Sequence, residues 1–432
     1  MDILFKNTIV VTMNPEIPVI TNAYVGITGR KVSYIGTSTP SEPAARTIDG
    51  TNRVLMPGMY NCHTHAPMTL LRGYANDLAL EDWLFNHIFP AEDKITPDMV
   101  RTGATLAVAE MISSGTIAFT DMYFDMDVVA KVAHEAGVLA NVSNAILVFD
   151  SDSYDYSKDK AHAQTLRVME DYHGGDGRVK ADASIHGVYT SLPTAWQQVV
   201  EFAHKHKLGM HVHLSETKTE HETCIKTFGQ TPTQAFASHG VFDVNTVAAH
   251  AVWVTDEDID ILAEKGVTVA HNPISNLKLA SGLAPVDAMQ KKGLNVALGT
   301  DGMASNNSHD MFEELKMASL LQKYITGDPT TLPAFNALAL ATTNGAKAQG
   351  RTGESGMIKE GYDADIAVLN LNNPRQTICY DPISSLAYST CGQDVEMTIC
   401  RGKVLYEKGE FTTIDIEKTL HDARVAKRVI GG

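Results

Sequence analysis

The chain has 432 residues, 44% of them hydrophobic and 20% charged, with a formal net charge of −16. This length suits a large barrel with an accessory domain, or two to three domains. The acidic balance argues against nucleic acid as a partner while leaving a small nucleoside open. No apolar run reaches the length of a bilayer span, and residues 1–7 lack the basic and apolar regions of a secretion signal. Five scattered cysteines without Cys-x-x-Cys fit reduced thiols and a cytoplasmic location.

Residues 1–53 read as short strands at 3–5, 8–12, 23–27 and 31–36, apolar or β-branched and separated by Asn, Gly and Pro. From 54 to 350 the pattern becomes strand, loop and helix in alternation. Eight strands are expected at 54–62, 115–121, 138–142, 179–185, 209–213, 246–250, 267–271 and 296–301. Helices are expected between them. Thr96-Pro97 opens one that Gly115 ends, and others cover 127–136, 194–206, 256–265 and 285–292. This order predicts a (β/α)8 barrel. A doubly wound open sheet is the rival, but no Gly-x-Gly-x-x-Gly follows the first strand. After 350, strands return at 364–369, 395–400 and 403–406, and a charged helix runs from Ile414. Residues 1–53 and 351–432 are therefore expected to pair into one small β-sandwich domain, with the 54–350 barrel inserted in it.

Chemistry collects at the strand ends. His63 and His65 close the first strand, two residues apart and so on one face. His186 follows the fourth, His213 closes the fifth with Glu216 three residues on, and His250, His271 and Asp301 close the last three. Barrels of this kind gather such ends at one rim. A catalytic metal needs three or four N/O ligands and an open position; His63, His65, His213 and Asp301 supply them. Such a centre acidifies water near neutral pH, Asp301 can take the water proton, and Glu216 is placed to protonate a substrate. His250 is expected to hold the attacking water or stabilise the oxyanion. His271, before Asn272-Pro273, fits a turn or a supporting position as well as a site residue. A bridging lysine for a second metal is not expected, because Lys180 lies at the wrong end of its strand.

These residues resemble the amidohydrolase superfamily. The stretches 61–73 (NCHTHAPMTLLRG), 82–84 (DWL), 271–284 (HNPISNLKLASGLA) and 298–308 (LGTDGMASNNS) are similar to the 5-methylthioadenosine/S-adenosylhomocysteine deaminases. The resemblance implies a one-metal hydrolytic deaminase that replaces the 6-amino group of an adenosine by oxygen, with Glu216 protonating ring N1. It also implies that Trp83 and Glu92 hold the ribose and that His186 contacts the purine. It carries one zinc ion per subunit, with iron or manganese as alternatives, and a homo-oligomer, dimer or tetramer. Where relatives that take S-adenosylhomocysteine would place an arginine after strand three, this chain has Asn144, which can hydrogen-bond but carries no charge. Asn144 is expected to contact the substrate; its lack of charge puts S-adenosylhomocysteine in doubt among the candidate substrates and leaves methylthioadenosine, adenosine or another 5′-modified adenosine open. The competing readings are an aminohydrolase or chlorohydrolase of another heterocycle (a guanine-type base or a triazine) and, more remotely, a non-catalytic scaffold.

Overall fold

A computed structural model of the protein describes residues 1–149, 154–173 and 175–431. Both chain ends build one nine-stranded mixed sheet. Its strands are Ile3–Val11, Val19–Thr28, Lys31–Gly36, Arg46–Asp49 and Arg53–Pro57, then Ile366–Asn370, Val395–Cys400, Lys403–Glu407 and Glu410–Phe411. The seam between the two ends is Arg53–Pro57, parallel to Ile3–Val11 on one side and antiparallel to Ile366–Asn370 on the other. Phe5, Val25, Leu55, Ile366 and Ile399 belong to a core separate from that of the barrel. The strands expected at 3–5 and 8–12 are one strand, with a register shift where Asn7 takes a φ of 59°.

The strand expected at 54–62 is two. Residues 54–57 pair within the terminal sheet, and Met59–His65 starts the barrel. Gly58 is the joint. Its amide bonds Asp365 O at 3.0 Å, and a Cβ there would sit 2.5 Å from Ile117 Cγ1, so a side chain would push the two sheets apart.

The barrel strands are Met59–His65, Thr116–Tyr123, Leu139–Asn144, Val179–Ile185, Gly209–Leu214, Thr246–His250, Thr268–His271 and Asn295–Leu298, all parallel. Thr116–Tyr123 and Leu139–Asn144 are buried at every position, as strands covered on both faces must be. The eighth strand breaks at Gly299-Thr300 and resumes as Asp301–Gly302, which pairs with Thr64 and His65 and closes the barrel. Asn61 fastens this closure: its Nδ2 donates to Thr300 Oγ1 at 2.7 Å and its Oδ1 accepts from Thr300 N at 3.0 Å. Gly299 lets the two strands approach, since a Cβ there would lie 2.8 Å from the His63 backbone nitrogen.

The expected helices are present, including Pro97–Ser113, whose first turn is capped by the Thr96 hydroxyl accepting from Met99 N. The terminal helix Ile416–Gly431 packs on Pro97–Ser113. Among the described residues no helix is long and apolar enough to cross a membrane.

Candidate active site

Four side chains meet at the rim where the strands end. His65 Nε2 lies 3.2 Å from Asp301 Oδ1, His63 Nε2 3.4 Å from the same oxygen, and His213 Nε2 3.3 Å from His65 Nε2. Ligand atoms placed 2.0–2.1 Å from one ion in tetrahedral directions stand about 3.3 Å apart. The spacing therefore fits a single metal ion. The donor chemistry fits too. His63 Nε2 is buried with no hydrogen-bond partner, a costly state that a metal bond would relieve. Burial holds His63 neutral, down to about 3, and also holds His213 far below the usual histidine range. Burial opposes charge on His65 as well, but the Asp301 carboxylate outweighs it and draws His65 up to about 9. The cluster thus calls for positive charge beside Asp301, which a divalent cation supplies.

Each group is held from behind. His65 Nδ1 donates to Met122 O and His213 Nδ1 donates to His186 O at 2.6 Å. Asp301 Oδ2 accepts from Ser275 Oγ at 2.6 Å and Ser305 Oγ at 3.0 Å. The backbone at these ends is bent into the left-handed region at Ser215 (φ 46°), His250 (75°), Ala251 (48°) and Asp301 (63°). Such conformations cost about 1–3 kcal/mol each and collect where a site needs side chains aimed against local preference.

Glu216 sits beside the cluster, 4% exposed, with Oε2 3.9 Å from His250 Nε2 and Oε1 3.5 Å from Ser281 Oγ. Burial raises its pKa; His250 pulls it back and the Asp301 charge pushes it further up. His250 Nδ1 faces Asn276 Oδ1 at 2.8 Å, which aims Nε2 into the site. Glu220 fixes the turn, its carboxylate accepting from Ser215 N at 3.2 Å and Glu216 N at 2.7 Å.

Above the cluster opens a cavity, about 740 Å³ of empty space with its solvent-filled mouth included, lined by His65, His186, His213, Glu216, His250 and Asp301 on its polar side. Trp83 and Glu92, both in the long connection after the first barrel strand, line it as well. Trp83 starts a π-helical turn, Trp83–Ile88, a local widening common at functional sites. Glu92 Oε1 accepts from Tyr123 Oη at 2.5 Å. Burial raises the Glu92 carboxyl to about 7, with the tyrosine bond opposing. His186 Nδ1 is paired with Thr190 Oγ1 at 2.9 Å.

Asn144 is not brought to this cavity, which corrects the expectation that it binds substrate. It is 4% exposed and points to the outside of the barrel wall, where Oδ1 accepts from Met126 N at 3.1 Å at the start of the helix Met126–Ala136. Its neighbour Ser143 takes the inward position. His271 is likewise absent from the cavity lining; it is buried, and neither ring nitrogen has a partner among the described residues. Lys180 lies at the opposite end of the barrel, bonded to the Gln349 and Gly350 carbonyls.

Sequence reasoning missed His211, Tyr123, Glu220 and the Ser275/Ser305 pair. Only His211 carried a readable signal: His211-Val212-His213 repeats the alternation of His63-Thr64-His65. The others join the site from separate strands and loops through contacts that no local pattern announces.

A closed parallel barrel with three histidines, an aspartate and a buried glutamate at its rim defines a metal-dependent barrel hydrolase. Residues 54–405 match the Amidohydrolase family, and the chain belongs to that family. It is 43% identical over 432 residues, all of both chains, to a 5-methylthioadenosine/S-adenosylhomocysteine deaminase of Thermoanaerobacter pseudethanolicus. It is also 43% identical over 425 residues, 98% of this chain and 97% of the other, to a 5′-deoxyadenosine deaminase of Methanosarcina acetivorans. The zinc-bound crystal structure of an adenosine deaminase from Xanthomonas campestris superposes with a TM-score of 0.94 at 33% identity, covering 99% and 98% of the two chains.

Proposed function

We propose that the protein is a hydrolytic deaminase that replaces the 6-amino group of a 5′-substituted adenosine with oxygen and releases ammonia. The observation that carries this reading is one cavity with His65, His213 and Asp301 of the cluster and the buried Glu216 on one side and the Trp83–Glu92 pair on another. One side suits the chemistry and the other suits a sugar. The names of the full-length relatives support the same reaction.

One ion per subunit would be held by His63, His65, His213 and Asp301. Zinc is the first candidate, with iron or manganese as alternatives for such ligands; when bound it would acidify a water molecule to a nucleophile near neutral pH. Glu216, protonated more readily than an ordinary carboxylate, donates to ring N1 and then carries a proton to the leaving nitrogen. Asp301, held by its two serines, is the base for the water proton. His250 presents Nε2 to the attacking or developing oxygen. Glu92 accepts from the ribose hydroxyls, Trp83 packs on the sugar, and His186, its Nδ1 engaged by Thr190, offers Nε2 to the purine.

The 5′ group is proposed to be small and uncharged. Leu80, Leu84, Ile88, Phe89, Ala145 and Leu147 line the cavity, and no lysine or arginine does so among the described residues. A zwitterionic amino-acid tail would lose its hydration there without an ionic partner. 5′-Deoxyadenosine and methylthioadenosine are therefore preferred over S-adenosylhomocysteine. The test is ammonia release and the adenosine-to-inosine absorbance change with these three nucleosides and adenosine. No turnover of any by zinc-replete protein rejects the deaminase reading; S-adenosylhomocysteine turned over as well as methylthioadenosine rejects the uncharged-group reading alone.

A further inference from the structure

We propose that His211 is a positioning residue that sets the tautomer of His63 and so prepares its ring nitrogen for a metal ion. The proposal rests on the reading of His63 as a ligand. His211 lies two residues before His213 on the same barrel strand and is fully buried, below the cluster rather than in it. It is absent from the cavity lining and from the residues whose donor atoms converge for an ion.

The contacts form one chain, whose polarity the serine end sets. His63 Nδ1 lies 2.9 Å from His211 Nε2, His211 Nδ1 lies 3.4 Å from Ser143 Oγ, and Ser143 Oγ lies 3.1 Å from the Asp121 carbonyl oxygen. The Asp121 carbonyl can only accept and is the nearer of the serine's two partners, so we assign the serine proton to it and its lone pair to His211. His211 then carries its proton on Nδ1, which leaves Nε2 bare to accept from His63. His63 must in turn be protonated on Nδ1, and its Nε2, the atom facing Asp301, keeps the lone pair. The opposite polarity would put a proton on His63 Nε2 and remove the donor.

The other two histidines do not need this chain. His65 and His213 donate Nδ1–H straight to the backbone carbonyls of Met122 and His186, which have only one polarity. Of the three, His63 alone is oriented by a group that itself has two tautomers. The arrangement is the familiar one in which an outer partner fixes a ligand's ring, here with an imidazole as the partner and a serine to hold it.

The test compares zinc affinity, by competition with a chromogenic chelator, in wild-type protein and three variants. His211→Leu should lower affinity about 10- to 100-fold. His211→Gln should restore most of it, because the amide can accept from His63 and donate to Ser143 through its two ends. Ser143→Ala, which frees His211 to take either tautomer, should fall between them. The visible spectrum of the cobalt-substituted protein should change for His211→Leu and resemble wild type for His211→Gln. Equal zinc affinity in wild type and His211→Leu overturns the proposal, as does a Gln variant as weak as the Leu variant. If the Leu variant does not fold, an unchanged affinity in Ser143→Ala overturns it instead. A wild-type protein that binds no zinc or cobalt would fail the metal centre itself, and the proposal with it.

Discussion

In the sheet of terminal strands, the Asp363 carboxylate receives Arg30 Nε at 2.8 Å, Arg30 Nη2 at 2.7 Å and Lys31 Nζ at 2.7 Å. At the barrel rim, His63 Nε2 and one oxygen of Asp121 are as deeply buried and have no hydrogen-bond partner. Both regions bury charge or strong polarity. In the sheet the Asp363 carboxylate faces its complements, and the result ties the two ends of the chain together. At the rim two strong polar atoms lack a bond, and the backbone turns left-handed at Ser215, His250, Ala251 and Asp301, where the functional side chains are aimed. Unsatisfied buried polar groups cost stability, so a bare His63 Nε2 held beside two further imidazoles and a carboxylate marks a place shaped for something other than folding.

That contrast can be broken most strongly at Glu216. Glu216→Gln keeps the size of the side chain and removes its proton traffic. The expected result is a fall in kcat of about 10²- to 10⁴-fold with zinc content and thermal stability unchanged. A variant that keeps wild-type kcat would remove Glu216 from the chemistry. Glu92→Gln should act on binding instead, raising KM for nucleosides about 10- to 100-fold while hardly touching a bare base, since it weakens charge-assisted bonds to the sugar. The wild-type KM should also rise as pH falls through about 7, where the Glu92 carboxyl protonates, and this dependence should be missing in the Gln variant.

The sheet gives the converse expectation. Asp363→Ala should cost about 3–5 kcal/mol of stability, because Arg30 and Lys31 are partly exposed but Arg401, 3.3 Å from the same carboxylate, is buried and would lose its counter-charge, and should leave kcat within about twofold. Burial pushes the Asp363 carboxyl up, but the Arg30 and Lys31 bonds outweigh it and hold it below the usual range. A depressed folded-state pKa stabilises the protein above the unfolded carboxylate value, near pH 4. That contribution disappears as pH falls through the folded value. The stability gap between wild type and Asp363→Ala should therefore narrow only below about pH 4. A gap that narrows between pH 5 and 8 would assign the effect to another group.

The strand-and-helix alternation and the polar strand ends were legible because each is a local pattern: a short apolar run, a glycine or proline break, then a histidine or aspartate. The side to which a strand-end residue points was not. Leu139–Asn144 is buried on both faces, so hydrophobic alternation gives no phase, and Asn144 read as facing the cavity when its side chain turns outward and Ser143 turns into the barrel toward His211. The run from Val54 to Tyr60 has no polar break for the same reason, and its division at Gly58 depends on Asp365 and Ile117, far away in sequence. The long connection carrying Trp83 and Glu92 has no periodicity to read, and the resemblance alone pointed to it.

The finest test of the contrast lies where a satisfied bond sits inside the unsatisfied region. Tyr123 Oη donates to Glu92 Oε1 at 2.5 Å, a bond to the charged form that opposes the burial raising that carboxyl. Tyr123→Phe removes only a hydroxyl from a 7% exposed ring, so packing should hold. Without the bond the Glu92 pKa rises further, and the carboxylate able to accept from a ribose is less populated at neutral pH. KM for a nucleoside should rise about 3- to 10-fold at pH 7, within the worth of one bond to a charged acceptor, with kcat nearly unchanged. Because the loss acts through protonation, the KM ratio of variant to wild type should exceed its pH 7 value at pH 6.5 and shrink by pH 8.5. A ratio that stays constant over that range would mean that the tyrosine only positions the carboxylate, and a ratio of one at every pH would take Glu92 out of ribose recognition altogether.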